Sequence, residues 1–388
     1  MVVPPWMGHV NPAAGVATIL CAEGHEIGWV GNPQVLGRAH VPGQIFPSVF
    51  TLRTLVRDAR LQGMAALQNL WLEVLVPLAQ GMDADLLSSL ASFRPDAMIV
   101  DQQAIGAALR CQQAGIPWIT LASSPGELVT FEPAHAPIRR WITDILTLLA
   151  RDLSCPPDIP DIRFSPHGTI MPSCPALMGD IPPGMVVHAT GSLVEHRRTP
   201  PSDAHPPTHF RPHVLVSMGT VSDQASSRFL QACCGAAASR PDIHWTIVDP
   251  TGNSESHGLG NVTSRRHVDL IALLPQTDVV VCHAGHNTVS ESLLHGVPLV
   301  VAPIRDDQPG IARRVELQGA GVRLRFSHAA SEHIVHAVDQ IIQAPRFAES
   351  ARGIGAQLRG GERRIRQLML PWLARPQSVL GAGTEVPA

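Results

Sequence analysis

The N-terminal half of the chain alternates short apolar runs with longer segments in which apolar residues recur at helical spacing. The short runs predict buried strands, and the spacing predicts helices. The strands are expected at 25–30, 97–100 and 118–121, and the helices at 13–23, 64–92 and 105–114. Asn11-Pro12 has the composition of a helix start, and Pro77 is expected to interrupt the second helix. This order of strands and helices indicates a parallel sheet with right-handed crossovers.

The C-terminal half repeats the alternation after a segment, 181–212, that is rich in proline, histidine and polar residues. Strands are predicted at 214–217, 243–248, 279–282 and 298–302, and helices at 226–238, 308–317 and 361–370, the last stopped by Pro371. The pattern therefore predicts an α/β protein of two similar domains. Their expected ranges are 1–195 and 213–360, joined by a linker at 196–212 and followed by a C-terminal helix and tail, 361–388, that packs back on the first domain.

Composition is consistent with two cores and excludes several classes of protein. The chain has 388 residues, more than one ordinary domain, and 45% of them are hydrophobic. A net charge of −3 and a charged fraction of 16% provide no basic surface for nucleic acid. The chain has no apolar run of about 18 residues and no basic signal-peptide start, so we expect a soluble cytoplasmic protein without an integral membrane segment. Seven cysteines without C-x-x-C spacing indicate free thiols.

Candidate chemistry is concentrated between His283 and Glu291, directly after the apolar run at 279–282. Thr288 and Glu291 have the spacing of a capping box, which predicts that a helix opens there. A strand that leads into a helix N-terminus is a ready anion site, because free backbone N–H groups and the positive end of the helix dipole meet there. His283 and Asn287 add side-chain donors. The stretch is therefore predicted to bind phosphate, although it contains neither G-x-G-x-x-G nor a Walker A loop.

A purely structural interpretation of the same residues is also open. Thr288 and Glu291 could do no more than cap their helix, and Gly285 could only permit the turn. The joint occurrence of these residues, with the polar pair Asp307-Gln308 after the next strand, favours ligand binding. Ligands of open α/β sheets bind at the carboxyl ends of the strands, where both segments are expected.

In the first domain, His9 follows the first short strand and is expected just before a helix. A neutral imidazole at this place can accept a proton, and the nearby helix N-terminus disfavours the imidazolium. Asp101 ends another strand of the same sheet, so its carboxylate is predicted to reach the far nitrogen of His9. The alternative is that His9 only packs in its turn and that Asp101 caps the following helix.

A metal site is not favoured. The chain has nineteen histidines, but His205, His209 and His213 lie among prolines, without cysteine or carboxylate neighbours. His333 and His336 share a helix face without further ligands in sequence. Solvated histidines are the better interpretation of both groups.

The early and late motifs together resemble one protein family. The early motif is Gly8-His9-x-x-Pro12, and the late one is His283-x-Gly285-x-Asn287-Thr288-x-x-Glu291, followed by Gly296-x-Pro298 and Asp307-Gln308. They resemble the nucleotide-sugar-dependent glycosyltransferases of the GT-B fold. More narrowly, they are similar to the bacterial branch that glycosylates macrolides and other natural products. The resemblance covers nearly the whole chain, and its late motif is the specific part.

The resemblance implies a GT-B fold, two Rossmann-like domains facing across a cleft, and a role for each matching residue. His9 would be the general base and Asp101 its orienting partner. The donor's diphosphate would be held by Thr220, His283, Gly285, Asn287 and Thr288, the ribose by Glu291, and the transferred sugar by Asp307 and Gln308. The acceptor would lie against Trp6 and Met7.

The activity implied is inverting transfer of a sugar from a UDP or dTDP sugar to a hydroxyl of a small, largely apolar acceptor. The nucleotide sugar is a co-substrate, and no cofactor or metal is expected, because a helix N-terminus and an imidazole can stabilise the leaving diphosphate. A homodimer is compatible with this assignment.

Three other functions are less favoured by the sequence. An N-acetylglucosaminyltransferase of cell-wall synthesis is less favoured, because the early turn lacks a glycine-rich run. A nucleotide-sugar-binding auxiliary protein without turnover would have no need for His9 and Asp101. A sugar-nucleotide epimerase would need carboxylates and a second base near the sugar, which the sequence does not show.

Overall fold

The computed structural model describes residues 1–48, 61, 63–155, 161–193, 212–219, 224–252 and 258–374. Contacts divide the chain into two compact units. The first comprises Met1–Ser173, Asp180–Arg198 and Gly360–Ala388, and the second comprises Cys174–Gly179 and Thr199–Arg359. Residues 174–179 were predicted to lie in the first domain. They belong to the second unit because the short helix Pro175–Met178 packs against the helix Gln308–Leu317. Of the predicted linker, 196–212, all but residue 212 lies outside the described residues.

The strands are β1 (Gly28–Gly31), β2 (Gln44–Pro47), β3 (Met98–Asp101), β4 (Trp118–Leu121), β5 (Thr169–Met171), β6 (Val187–Ala189), β7 (His213–Ser217), β8 (His244–Val248), β9 (Val262–Arg265), β10 (Val279–Cys282), β11 (Leu299–Val301) and β12 (Gly321–Arg323). The α-helices are α1 (Met7–Ala22), α2 (Pro33–Arg38), α3 (Gly63–Asn69), α4 (Val76–Phe93), α5 (Ile105–Ala114), α6 (Ala136–Asp152), α7 (Pro175–Met178), α8 (Gln224–Ser239), α9 (Leu270–Leu273), α10 (His286–Leu294), α11 (Gln308–Leu317), α12 (Ser331–Gln343), α13 (Arg346–Leu358) and α14 (Gly361–Leu373). A π-helical segment, Leu70–Leu75, joins α3 to α4, and short 3₁₀ turns occur at Pro125–Phe131, Pro133–His135, Leu274–Gln276 and Phe326–His328.

The sheet of the first unit is parallel, and its first strand is reduced to one residue. Val2 bridges Val30 of β1 on one side and Val100 of β3 on the other. The Val2 N–H donates to the Ile99 carbonyl oxygen, and the Asp101 N–H donates to the Val2 carbonyl oxygen, both at 3.0 Å. The strand order is therefore β2-β1-Val2-β3-β4-β5-β6. This order reverses between Val2 and β3, the position at which doubly wound sheets bind ligands.

The first helix begins earlier than the sequence predicts. The predicted start at Asn11-Pro12 is wrong, because α1 begins at Met7 and contains Pro12. The backbone of Trp6 is extended, and its carbonyl oxygen already accepts a bond from the His9 N–H at 2.9 Å. Pro12 costs the helix one backbone bond near its first turn, where carbonyl groups have access to water. His9 is consequently the third residue of the helix rather than part of a preceding turn.

The last helix also continues past a predicted stop. Pro371 was expected to end it, but it lies inside α14, which runs to Leu373. Met369 and Trp372 of this helix are buried in the same core as Val16 and Ile19 of α1. Burial of such side chains favours continuation by more than the one backbone bond that a proline removes in a last turn. The helix α14 thus packs on the first unit.

The second unit contains a six-stranded parallel sheet in the order β12-β11-β10-β7-β8-β9. Its order reverses between β7 and β10, which pair so that Ser217 lies beside Cys282 at their carboxyl ends. The two turns that follow these strands therefore meet at the point where a ligand is expected. Parallel sheets in both units confirm the predicted α/β class.

The state of the cysteines and the hydropathy of the helices bear on the expectations from composition. All seven cysteines are free, and all but Cys21 are buried. Within the described ranges, no helix is both long enough and apolar enough to cross a membrane.

Candidate active site

The first unit brings His9 and Asp101 together at its switch point. His9 Nδ1 lies 2.9 Å from Asp101 Oδ2, with 16% of the histidine side chain exposed and the aspartate side chain fully buried. The other oxygen, Oδ1, accepts the Gln103 N–H at 2.9 Å. Asp101 does not cap the following helix, whose N-cap is Ala104. Since a carboxylate only accepts, the proton of the neutral imidazole resides on Nδ1, and Nε2 carries the lone pair that can take a proton.

Ser123 is a member of this site that the sequence analysis missed. It follows β4, the neighbour of β3, and is buried. Its Oγ lies 2.9 Å from the same Nδ1 of His9 that contacts Asp101. The Nδ1–H is therefore shared between a carboxylate and a hydroxyl oxygen, which fixes the tautomer and the orientation of the ring. No local motif marks this serine; its role depends on the order of the strands.

Ser123→Ala should lower turnover by less than about tenfold, because the carboxylate keeps the stronger share of the Nδ1 proton and a neutral hydrogen bond contributes about 0.5–1.5 kcal/mol. Affinity for the donor should not change. The measurement is steady-state kinetics beside Ser124→Ala, whose hydroxyl accepts the Gly126 N–H at 3.3 Å. A loss as large as that of removing His9 would contradict the secondary role assigned to Ser123.

Trp6 and Met7 precede His9 on the same helix start. The Trp6 ring lies 5.6 Å from the His9 ring, centroid to centroid, and both Trp6 and Met7 are half-buried. Each packs against the core of the first unit. An apolar side chain beside the imidazole is where an apolar acceptor would be held, and this role stays a prediction.

In the second unit, the turn that is predicted to bind phosphate is built differently from its prediction. Gly285 has an extended backbone and is the N-cap of α10, and its carbonyl oxygen accepts the Val289 N–H at 3.0 Å. The predicted capping box is therefore wrong: Thr288 is the third helical residue and Glu291 the sixth. The first-turn N–H groups of this helix are those of 286–288, which include Asn287 and Thr288. The helix N-terminus thus lies about one turn earlier than the spacing suggested, and anion binding there stays a prediction.

The backbone conformation of this turn is strained at one residue. Ala284 has φ of +65°, a left-handed conformation that non-glycine residues rarely adopt, and its side chain is fully buried. Strained residues persist where the surrounding structure holds them, and they are concentrated at functional sites. This left-handed conformation turns the chain sharply between the end of β10 and the start of α10.

His283 lies buried between two glycines. A Cβ atom at Gly219 would lie 2.7 Å from its Cε1, and one at Gly285 would lie 2.7 Å from its Nε2. Gly285 is therefore required to make room for this ring, besides any contact with a ligand. Burial lowers the pKa of His283 to about 4, opposed by the Ser217 backbone and reinforced by the charge of Arg305. The ring is therefore neutral at physiological pH.

One ring nitrogen of His283 lacks a hydrogen bond. Within the described residues, its buried Nδ1 has no partner. Buried polar atoms in proteins are nearly always hydrogen-bonded, so one that no described residue satisfies is available to a ligand. A ligand at the N-terminus of α10 would meet this need.

Asp307 and Gln308 lie where the chain leaves β11. Asp307 is the N-cap residue of α11, and the helix begins at Gln308, as predicted. The Gln308 Oε1 accepts the N–H groups of Ile304 and Arg305 at 2.8 and 3.1 Å. The amide oxygen therefore holds the loop, and any contact of Gln308 with a sugar would come from its amide nitrogen.

The remaining predicted site residues are Glu291 and Thr220. Glu291 is buried on α10, with 6% of the residue exposed. Thr220 lies outside the described residues. The part of the chain that the structure describes contains no group of three or more histidine, cysteine or carboxylate side chains that could hold a metal ion.

A cavity of about 330 Å³ in the first unit lies away from this chemistry. It is lined by residues such as Met1, Phe93 and Trp372, at the amino-terminal ends of β1 and β3. His9 and Asp101 do not line it. Since ligands of open α/β sheets bind at the carboxyl ends of the strands, we assign the site from the polar geometry and not from this cavity.

Solved structures share the fold of the whole chain. The calicheamicin glycosyltransferase CalG4 matches with a TM-score of 0.78 at 19% identity, covering 96% of this chain and 98% of the other. The glycosyltransferase VinC, solved with dTDP, matches with a TM-score of 0.74 at 16% identity over 99% of both chains. At such identities the likeness concerns the fold, which is GT-B.

Sequence relatives are glycosyltransferases and related biosynthetic enzymes. The 4'-demethylrebeccamycin synthase of Lentzea aerocolonigenes is 28% identical, covering 88% of this chain and 91% of the relative. The zeaxanthin glucosyltransferase of Pseudescherichia vulneris is 24% identical, covering 84% of this chain and 86% of the relative. The profile of the family described as "UDP-glucoronosyl and UDP-glucosyl transferase" matches residues 214–355. These residues therefore form a domain of that family, and the chain is a glycosyltransferase homologous to bacterial glycosyltransferases of natural products.

Proposed function

We propose that the protein is an inverting glycosyltransferase that moves a sugar from a UDP or dTDP sugar to a hydroxyl of a small, largely apolar natural product. The observation that carries this proposal is the buried contact between His9 and Asp101, 2.9 Å long, at the switch point of the first sheet. A protein that only binds a nucleotide sugar has no use for such a pair. The names of the relatives, a rebeccamycin-type synthase and a zeaxanthin glucosyltransferase, support an apolar acceptor.

In the transfer step, Nε2 of His9 takes the proton of the acceptor hydroxyl while the hydroxyl oxygen bonds to the anomeric carbon. The bond from that carbon to the diphosphate oxygen breaks, and its electron pair leaves with the diphosphate. Attack from the face opposite the leaving group inverts the anomeric centre. Asp101 stabilises the imidazolium that forms, as a buried carboxylate does beside a catalytic histidine.

The donor's diphosphate would bind at the N-terminus of α10. The first-turn N–H groups of 286–288 and the positive end of the helix dipole favour an anion there, and the unsatisfied Nδ1 of His283 adds a ring nitrogen. Thr220 would close over the diphosphate. Glu291 would contact the ribose, while Asp307 and the amide nitrogen of Gln308 would contact the sugar.

The decisive experiment has two parts. Thermal unfolding of the protein with a panel of UDP and dTDP sugars identifies the donor, because a ligand that binds only the folded state raises the midpoint. Turnover of that donor with apolar hydroxylated acceptors then tests transfer, and the anomeric configuration of the product tests inversion. Donor binding without transfer to any acceptor, in both wild type and His9→Ala, would support an auxiliary binding protein instead.

Activity should be independent of added metal. The helix dipole and His283 take the place of a cation at the leaving diphosphate. Full turnover is expected in excess EDTA, measured beside a sample with Mg²⁺ or Mn²⁺ restored. Loss of activity in EDTA that either ion reverses would contradict this expectation.

A homodimer and a cytoplasmic location also stay predictions. Size-exclusion chromatography of the purified protein tests whether it is a homodimer.

A further inference from the structure

A second basic residue lies near the proposed diphosphate site. Arg305 follows β11, which pairs with β10 so that Val301 lies beside Cys282. His283 comes directly after Cys282, so the loop that carries Arg305 begins at the same sheet edge as the turn that carries His283. Only 8% of the Arg305 side chain is exposed. A largely buried arginine at a ligand-binding edge needs an anion or a set of acceptors.

The described residues satisfy this guanidinium poorly. Among the described residues, the Arg305 side chain makes no hydrogen bond, and its one ion pair joins Nε to Asp306 Oδ2 at 3.9 Å. That distance is too long for a hydrogen bond. Asp306 is about a quarter exposed, with 26% of its side chain accessible, so water screens the pair. Arg305 is therefore a buried cation without a close counter-charge in the described part of the chain.

The backbone of Arg305 is held in place. Its N–H donates to Gln308 Oε1 at 3.1 Å, and its carbonyl oxygen accepts the Gln308 N–H at 3.2 Å. The next residue, Asp306, has φ of +60°, a left-handed conformation. These hydrogen bonds and the strained Asp306 fix the position of the Arg305 Cα atom, from which the side chain extends. Backbone positions that are fixed in this way occur at ligand sites.

The charge of Arg305 also reaches His283. It contributes to lowering the pKa of that ring, after the larger effect of burial. The positive charge of Arg305 thus disfavours a second positive charge on the His283 ring. The same positive charge favours an anion at this end of the sheet.

We propose that Arg305 binds the diphosphate of the donor and neutralises charge on the leaving group. The inference rests on the proposed function, and it adds a diphosphate-binding residue that the sequence motif does not contain. A guanidinium donates in a planar fork that matches phosphate oxygens, and its charge is not lost at any physiological pH. As the bond to the anomeric carbon breaks, negative charge grows on the diphosphate, and Arg305 stabilises it more in the transition state than in the bound donor.

The test compares Arg305→Met with Arg313→Gln, an exposed arginine of α11. Calorimetry measures the affinity for the nucleoside diphosphate that the wild type binds, UDP or dTDP, and for the matching monophosphate. Arg305→Met should weaken diphosphate binding about 10–100-fold, the effect of losing a charge-assisted bond, and monophosphate binding by much less. Arg313→Gln should bind like the wild type. In Arg305→Met, the pKa of His283, followed by NMR, should rise.

Arg305→Lys keeps the positive charge without the fork, so its loss should be intermediate; this variant serves if the methionine variant does not fold. Equal diphosphate affinity in wild type, Arg305→Met and Arg305→Lys would overturn the inference and leave the proposed function standing. A loss confined to donors with a carboxylate on the sugar would also overturn it, and would move the anion from the diphosphate to the sugar. A wild type that binds neither UDP nor dTDP would remove the proposed function and this inference together.

Discussion

Replacement of His9 by alanine should lower turnover about 10²–10⁴-fold, the usual contribution of a positioned general base. The imidazole is held by Asp101 and Ser123 through Nδ1, which leaves Nε2 to receive the acceptor's proton. Alanine removes the proton acceptor without changing the first-turn N–H groups of α10, so affinity for the donor should stay nearly constant. Single-turnover kinetics with saturating donor separates the two quantities.

The pH profile gives a second readout of the same role. In wild type, the rate should fall in acid as the imidazole gains a proton, because a protonated ring cannot accept another. His9→Ala should lose this dependence along with most of its rate. Asp101→Asn should act in the same direction but less strongly, since it keeps the shape of the side chain and removes the charge that stabilises the imidazolium.

A matched control is His25→Ala, at the opposite edge of the same sheet, beside the cavity. This variant should retain wild-type turnover. Near-normal turnover of His9→Ala on its true acceptor would end the proposal for His9. It would point to an acceptor acidic enough to react without a base.

Much of the fold could be predicted because its strands are buried. Runs such as 118–121 and 279–282 are apolar on both faces, and the structure has strands at these positions. The helix Gln308–Leu317 has the bounds that the sequence predicts, since a proline after the first residue and a glycine after the end mark it on both sides. In these elements, the local preference of the sequence and the packing of the fold favour the same structure.

Helix starts were predicted less well, because two preferences competed in each case. Asn11-Pro12 and Thr288-x-x-Glu291 both look like helix starts, yet α1 and α10 begin at Met7 and His286. In each, an extended residue just after a strand supplies the first acceptor: Trp6 for α1 and Gly285 for α10. The small number of residues between the strand and the helix decides where the helix begins. The sequence alone does not show how small that number is.

The site residues that were missed depend on strand order. His9 and Asp101 could be joined because each follows a strand of one sheet, and the resemblance to a family named both. Ser123 and Arg305 belong to no motif, and only the observed neighbours of their strands place them. The positions of side chains at a sheet edge follow from topology, which a single sequence specifies only through long-range packing.

Replacement of His283 by alanine should weaken both donor binding and turnover, by about 1.5–3 kcal/mol or roughly 10–150-fold, if a charge-assisted bond to the diphosphate is lost. The ring lies between Gly219 and Gly285 with its Nδ1 unsatisfied by any described residue. Because burial lowers its pKa to about 4, the ring gains a proton only as the pH falls toward that value. Its contribution to donor affinity should therefore be constant between about pH 6 and 9.

His295→Ala is the matched control, since this exposed histidine ends the same helix on the side away from the proposed diphosphate. It should bind UDP or dTDP like the wild type, by calorimetry at several pH values. Unchanged affinity of His283→Ala for the nucleoside diphosphate would remove the ring from the donor site. The helix N-terminus and Arg305 would then remain as the candidates for holding the anion. If His283→Ala weakens binding at every pH while His295→Ala does not, a neutral, buried imidazole contributes to holding the diphosphate.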